Sequence, residues 1–295
     1  MLSSISYRTQ SSGGGVLNPP KITPTGALTS SSSLTLLIHG YNCDAEAAQA
    51  SYVRFLELEN MIAPVSANIV GVFWPGDNWE GLFYYMQSLA HVKQVAPLLA
   101  QNIYNAAVSL GYLKVDIVAH SMGNRLVLET MDALIVLLNS KKAAGDFSAQ
   151  GLIINRIVFM AAAVPTEYLE IEKQLRSAIE FFNGTMSLYS KADTVLHYGF
   201  PLGESLLREA FFPIALGRKK WINGSGLTPS LNQQENKGAR HSDYWGANSK
   251  HTQQLNQAAA YVRSFIDLGS TPARNLSTRS ITVKNSVQER TITKR

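Results

Sequence analysis

Eleven residues, Val115-Asp116-Ile117-Val118-Ala119-His120-Ser121-Met122-Gly123-Asn124-Arg125, constrain the fold of this chain more than any other stretch. An apolar, β-branched run ends at a serine, and over 122–139 the apolar positions recur with helical spacing. A strand that becomes a helix within a residue or two carries its serine on a strained bend. Large side chains two before or two after that serine would collide across the turn. Ala119 and Gly123 occupy those two places. The bend lifts the Ser121 hydroxyl above the sheet, beside the Met122 N–H and the positive end of the following helix. The five-residue pattern alone arises often by chance, but between a buried strand and a long helix it marks a nucleophile. The plainer alternative is that Ser121 only caps the helix.

The rest of the chain repeats the alternation. Segments 34–38, 68–74, 115–119, 152–160 and 185–189 read as strands, and 44–61, 79–110, 122–139, 165–182 and 252–268 read as helices. Asp44 is the expected N-cap of the first helix, and Pro97 an expected kink in the second. Strands apolar on both faces and separated by helices imply an α/β fold. The expected architecture is a doubly wound, mostly parallel sheet with helices on both faces and ligands at the carboxyl ends of its strands.

The ends differ from the middle. Ser, Thr, Gly and Pro make up 20 of the first 33 residues, a composition that predicts a flexible arm over 1–33. Residues 269–295 predict a second, basic tail, leaving 34–268 as the folded domain. The net charge of +5 belongs to those ends. Arg8 and Lys21 face no acid in 1–33, and six basic residues face only Glu289 in 269–295, so 34–268 is slightly acidic. A nucleic-acid-binding face on the domain therefore has no support. No apolar run is long enough to span a bilayer, and residues 1–10 lack the pattern of a secretory signal. A cytoplasmic protein is expected, with non-classical export as the alternative. The lone Cys43 excludes an internal disulfide and reads as an inert small residue.

The combination of His39-Gly40-Tyr41-Asn42, Phe73-Trp74-Pro75 and His120-Ser121-Met122-Gly123-Asn124-Arg125 resembles the α/β-hydrolase superfamily. More narrowly, it resembles a bacterial serine-hydrolase-like family catalogued as a domain of unknown function. The resemblance spans about 34–268 and implies the fold and the chemistry, not the substrate. It implies an oxyanion hole built from two backbone N–H groups, that of Met122 and that of Tyr41 in the loop after the first strand. Gly40 would let that loop turn toward the serine, and His39 is expected to be a hydrogen-bonded structural residue.

In this fold the partners of the serine follow it in the order acid, then histidine. His197, His241 and His251 come after Ser121. His241 lies in a polar loop just ahead of the closing helix and is the expected base. Asp193, in the short loop after the strand 185–189, is the expected acid, with a helix cap or turn as its plainer alternative; Glu167 and Asp243 are reserves. The expected reaction is a two-step acyl transfer needing no metal and no organic cofactor. A carboxylic-ester hydrolase acting on a small-molecule or lipid ester is the leading reading. An exported phospholipase-type effector and a catalytically silent binding protein are the alternatives. The segments from Trp79 to Met86 and over 200–216 are expected to pack on the sheet, with the wall of an acyl pocket or a mobile cap as the alternatives. Asn42, Asp77 and Asn78 read as turn formers.

Overall fold

The computed structural model of the protein describes residues 2–77, 82–206, 212–221 and 231–269, less the side chains of 82–84 and 206. Apart from Gly269 the basic tail lies outside the described residues, as do Asn78 and Trp79. In chain order the elements are β1 (Ser3–Arg8), β2 (Val16–Thr23), β3 (Ser33–Ile38), α1 (Ala45–Ile62), β4 (Asn68–Phe73), α2 (Leu82–Leu110), β5 (Leu113–His120) and α3 (Gly123–Ala143). They continue with β6 (Leu152–Met160), α4 (Arg176–Glu180), β7 (Gly184–Tyr189), α5 (Phe200–Leu206), β8 (Asn232–Glu235) and α6 (Thr252–Phe265). The strands form one sheet in the order β2-β1-β4-β3-β5-β6-β7-β8, parallel throughout except for the antiparallel edge strand β2.

Alternation along each strand divides the core into two layers. Leu34, Leu36 and Ile38 of β3, and Val115, Ile117 and Ala119 of β5, pack with Leu99, Ile103, Leu126 and Met131 of α2 and α3. Leu37 and Val118 point the other way, into a layer with Tyr52 and Phe55 of α1 and Ala258 and Val262 of α6. Both faces are thus covered, which is why the central strands read as unbroken apolar runs. Asp44 caps α1 by accepting the Ala47 N–H at 2.8 Å, and α2 continues through Pro97. Among the described residues no helix is long and apolar enough to cross a membrane.

Two expectations need correction, and one strand was not foreseen. The first 33 residues are not an arm: β1 pairs with β4 inside the sheet, and β2 pairs with β1 at its edge. Composition hid a period of two in Ser4-Ile5-Ser6-Tyr7, whose two large side chains are fully buried. Pro19 and Pro20 sit on β2, where an edge strand tolerates missing N–H donors. The helix expected over 165–182 is instead a short turn at Thr166–Leu169 followed by the five-residue α4, broken where Glu172 adopts a left-handed backbone (φ 64°). The short strand β8, too polar to stand out as a strand, extends the sheet beyond β7.

A buried ion pair fastens the N-terminal segment to the loop after β4. The Arg8 guanidinium contacts the Asp77 carboxylate and donates to the carbonyls of Trp74 (2.8 Å) and Ser11 (3.0 Å). Asp77 also accepts the Gly13 N–H at 2.8 Å, so it is more than a turn former. Removing one partner of a buried pair leaves an uncompensated charge, which typically costs about 3–5 kcal/mol. Arg8→Met should therefore lower the unfolding free energy obtained from denaturant titration by an amount in that range, whereas a flexible arm would tolerate the change.

Glu59 of α1 carries a second stability device. It is fully buried, and among the described residues neither carboxyl oxygen has a hydrogen-bond partner. Burial, only partly offset by the charge of Arg263, pushes its pKa up to about 8. The unfolded chain releases this proton near the ordinary carboxylate pKa, so stability is lost as pH rises from about 4.5 through 8. At 1.36 kcal/mol per pKa unit the loss is at most roughly 4–5 kcal/mol. Glu59→Gln should match the parent protein below pH 5 and exceed it in melting temperature at pH 8.5, as thermal unfolding across that range will report.

Candidate active site

Ser121 sits between β5 and α3 with a left-handed backbone, φ 53°, a conformation that non-glycine residues adopt at a cost. The surrounding hydrogen bonds hold it there. Its N–H donates to the Met160 carbonyl at 3.0 Å, and its carbonyl accepts from the Asn124 side chain at 3.0 Å and from the Ala163 N–H at 3.2 Å. The Asn124 amide also donates to Met160 O at 3.1 Å. Gly123 is required by contact: a Cβ there would lie 2.3 Å from the His39 carbonyl oxygen. Gly40 is required likewise, since its Cβ would lie 2.7 Å from that of Ser121. The turn after β3 is therefore pressed against the serine, which brings the peptide joining Gly40 to Tyr41 beside the elbow.

The bonds of His39 explain why it is structural. Its Nε2 accepts the Trp74 N–H at 3.2 Å, its Nδ1 donates to Gly40 O at 2.9 Å, and its own N–H donates to the Tyr52 hydroxyl at 2.8 Å. The indole of Trp74 stacks on the imidazole and donates to the His39 carbonyl at 2.8 Å. Burial pushes the His39 pKa down to about 3, so it stays neutral and keeps this tautomer.

His241 comes from the loop between β8 and α6. Its Nε2 lies 2.8 Å from Ser121 Oγ, and its Nδ1 lies 2.7 Å from Asp193 Oδ2. A carboxylate only accepts, so Nδ1 carries the proton and Nε2 is free to accept the serine O–H. Asp193 is fully buried in the loop after β7, whereas the His241 side chain is 20% exposed. The second oxygen of Asp193 accepts the Leu196 N–H at 3.0 Å and so caps the turn Val195–Gly199. The capping alternative and the proposed partner of His241 are thus the same carboxylate, one oxygen for each.

The other candidates go elsewhere. Asp243 accepts from His251 Nδ1 (2.6 Å), Ser249 Oγ (2.5 Å) and the Arg240 N–H (2.8 Å). Burial opposes the ionised form, but these donors outweigh it and hold the Asp243 pKa below its ordinary value. The cluster closes the loop that presents His241, and Trp245 anchors that loop edge-on against Tyr52 and Phe55. Glu167 lies in the turn Thr166–Leu169, and His197 meets Arg218 at 3.2 Å. In the segment 200–216, α5 leans on α2, where the Tyr85 hydroxyl donates to buried Glu204 at 2.6 Å. Tyr85 also meets the ring of Tyr41 edge-on. Cys43 is partly buried, and its thiol pKa is pushed up to about 12 by burial and by the charges of Asp44 and Asp77.

Residues 27–254 match a family described as "Alpha/beta hydrolase of unknown function (DUF900)". The chain belongs to this family. No curated protein matches it. The hydrolase is similar in fold to an esterase of Pyrococcus furiosus (11% identity, 89% of this chain and 100% of the other, TM-score 0.38). It is also similar to a carboxylesterase of Bacillus subtilis (10%, 92% and 93%, TM-score 0.36). A further similarity is to lipase B of Aspergillus fumigatus (10%, TM-score 0.34), covering 72% of this chain and 46% of the other; the chain spans just under half of that lipase.

Sequence reasoning missed His120. Its half-buried ring lies beside those of His241, Tyr244 and Trp245, and its Nε2–H donates to the His241 carbonyl at 2.7 Å. Burial and the neighbouring His241 push its pKa down to about 3, so it remains a neutral donor. His120 therefore ties the peptide of residue 241 to the residue preceding the nucleophile. Its position inside the Ser121 motif was visible, but a bond to a residue 121 positions away was not. A misplacement of about 1 Å can cost on the order of 10²-fold in reaction rate. His120→Ala should slow the reaction of Ser121 with an organophosphorus probe by roughly 10–100-fold at unchanged melting temperature, and His120→Gln should recover part of it.

Proposed function

We propose that this protein is a serine hydrolase of carboxylic esters that works through an acyl-enzyme. The observation that carries the reading is the continuous hydrogen-bonded path from Asp193 through His241 to Ser121, with separations of 2.7 and 2.8 Å. Nucleophile, base and orienter in this order are what acyl transfer needs.

In the first step Ser121 Oγ attacks the ester carbonyl while His241 Nε2 takes its proton. Asp193 keeps the Nδ1 proton in place and stabilises the imidazolium that forms. The N–H groups of Met122 and Tyr41 are the donors assigned to the oxyanion; each such donor is typically worth ~10²–10³ in rate. His241 then returns the proton to the departing alkoxide, and the alcohol leaves. In the second step His241 takes a proton from water, hydroxide attacks the acyl-serine, and the acid leaves as Ser121 regains its proton. The neutral His39 and His120 add no competing charge to the site.

A fluorophosphonate probe should label folded protein at Ser121. Ser121→Ala should abolish labelling and lower turnover of a short-chain p-nitrophenyl ester by a factor on the order of 10⁶. Labelling at another residue, or turnover undiminished in Ser121→Ala, would overturn the assignment.

A further inference from the structure

The helical stretch that follows Asp193 carries large apolar side chains on its outward side as well as its inner one. Along the turn Val195–Gly199 and α5, Leu196, Phe200 and Glu204 are buried. Between them Val195, Tyr198 and Leu202, spaced three and four residues apart, are 48%, 65% and 50% exposed. Their exposure puts all three on the outward side of this stretch. A surface stripe of this kind is ordinarily polar, and a contiguous exposed apolar patch marks a binding surface.

The charges beside the stripe identify what it binds. Lys191 precedes it and is exposed, Arg218 meets it through the bond to His197, and the exposed Lys219 and Lys220 follow Arg218 in the chain. Among the described residues of 191–221 the acids, Asp193 and Glu204, are both buried, and the exposed charged side chains are cationic. Acids do occur across the bridge between Pro165 and Ala215, where Glu167, Glu170 and Glu172 occupy the neighbouring turn, beyond Ile214. The described charges next to the stripe in the chain or bonded to it are thus cationic, and the acids belong to the turn across that bridge. Exposed apolar side chains flanked by Lys and Arg match the boundary of a bilayer with anionic headgroups.

We propose that the surface formed by Val195, Tyr198 and Leu202, with Lys191 and Arg218–Lys220 beside it, docks the protein onto an anionic lipid surface. The inference deepens the ester-hydrolase reading and rests on it for its consequence, that the substrate is a lipid ester. The docking stretch begins two residues after Asp193, and Leu196 is bonded directly to that carboxylate. Docking would set the site at the lipid boundary, where an ester enters it without crossing bulk water.

The test is sedimentation of the full chain with vesicles of phosphatidylcholine alone and of phosphatidylcholine mixed with phosphatidylglycerol. The parent protein should pellet with the mixed vesicles, and salt should weaken the binding. Tyr198→Ser/Leu202→Ser and Lys219→Glu/Lys220→Glu should each weaken it by roughly tenfold or more, while turnover of a soluble short-chain ester stays within about twofold. Equal binding to both vesicle types, binding to neither, or binding retained by both double variants would overturn the proposal. In the last case the basic residues of 270–295 would be the attachment. A parent dimer that the stripe variant converts to monomer, with no vesicle binding, would also overturn it and assign the stripe to a second copy. Sedimentation needs no catalysis, so failure of Ser121 labelling and failure of docking are read separately.

Discussion

The structure turns on the backbone of a single residue. Ser121 has a positive φ, and two glycines permit it, Gly123 by letting α3 begin against the end of β3 and Gly40 by letting the next loop lie on the serine. A methyl group at either place would meet atoms well inside van der Waals contact. The central strands must therefore end level with one another at this point. Asn124 and the Met160 carbonyl carry the constraint across to β6, so three neighbouring strands share it. Strain at one residue persists because its surroundings over-determine it.

The outer parts of the fold hold that centre in place. The Arg8–Asp77 pair fastens β1 and the loop after β4, and the Asn42 N–H, donating to Gly76 O at 2.8 Å, ties that loop to the Gly40 turn. His39 joins the same two loops through Trp74. On the other side, Asp243, His251 and Trp245 shape the loop that carries His241, and His120 bonds its backbone to the elbow. Two loops from opposite halves of the sheet thus meet at one serine. Each is held by buried polar groups that satisfy one another, the arrangement in which a buried network becomes rigid.

Much of this was legible. The five strands read as apolar runs are there because strands buried on both faces have nowhere to place polar residues, and the elbow was legible because its glycine and alanine are steric necessities. Asp193 and His241 could be chosen by their place after the right elements. The first strand was obscured by its serines, which let composition outweigh a two-residue period. The helix over 165–182 was overestimated because periodicity does not register a left-handed residue such as Glu172. β8 escaped because Asn232-Gln233-Gln234-Glu235 has a polar sequence and becomes a strand only through pairing with β7.

Taken alone, then, the order of residues determined the layered α/β class and the serine on its bend, while the resemblance to α/β-hydrolases narrowed the partners of that serine to a few acids and histidines. The first two follow from local sterics and from the period of apolar residues. Only the tertiary structure decided which carboxylate meets His241, that His120 supports it, that the first residues belong to the sheet, and that an apolar stripe beside the site faces outward. Those facts depend on contacts between residues tens to more than a hundred positions apart. Whether a hydrogen bond closes over such a separation is set by the packing of the whole core.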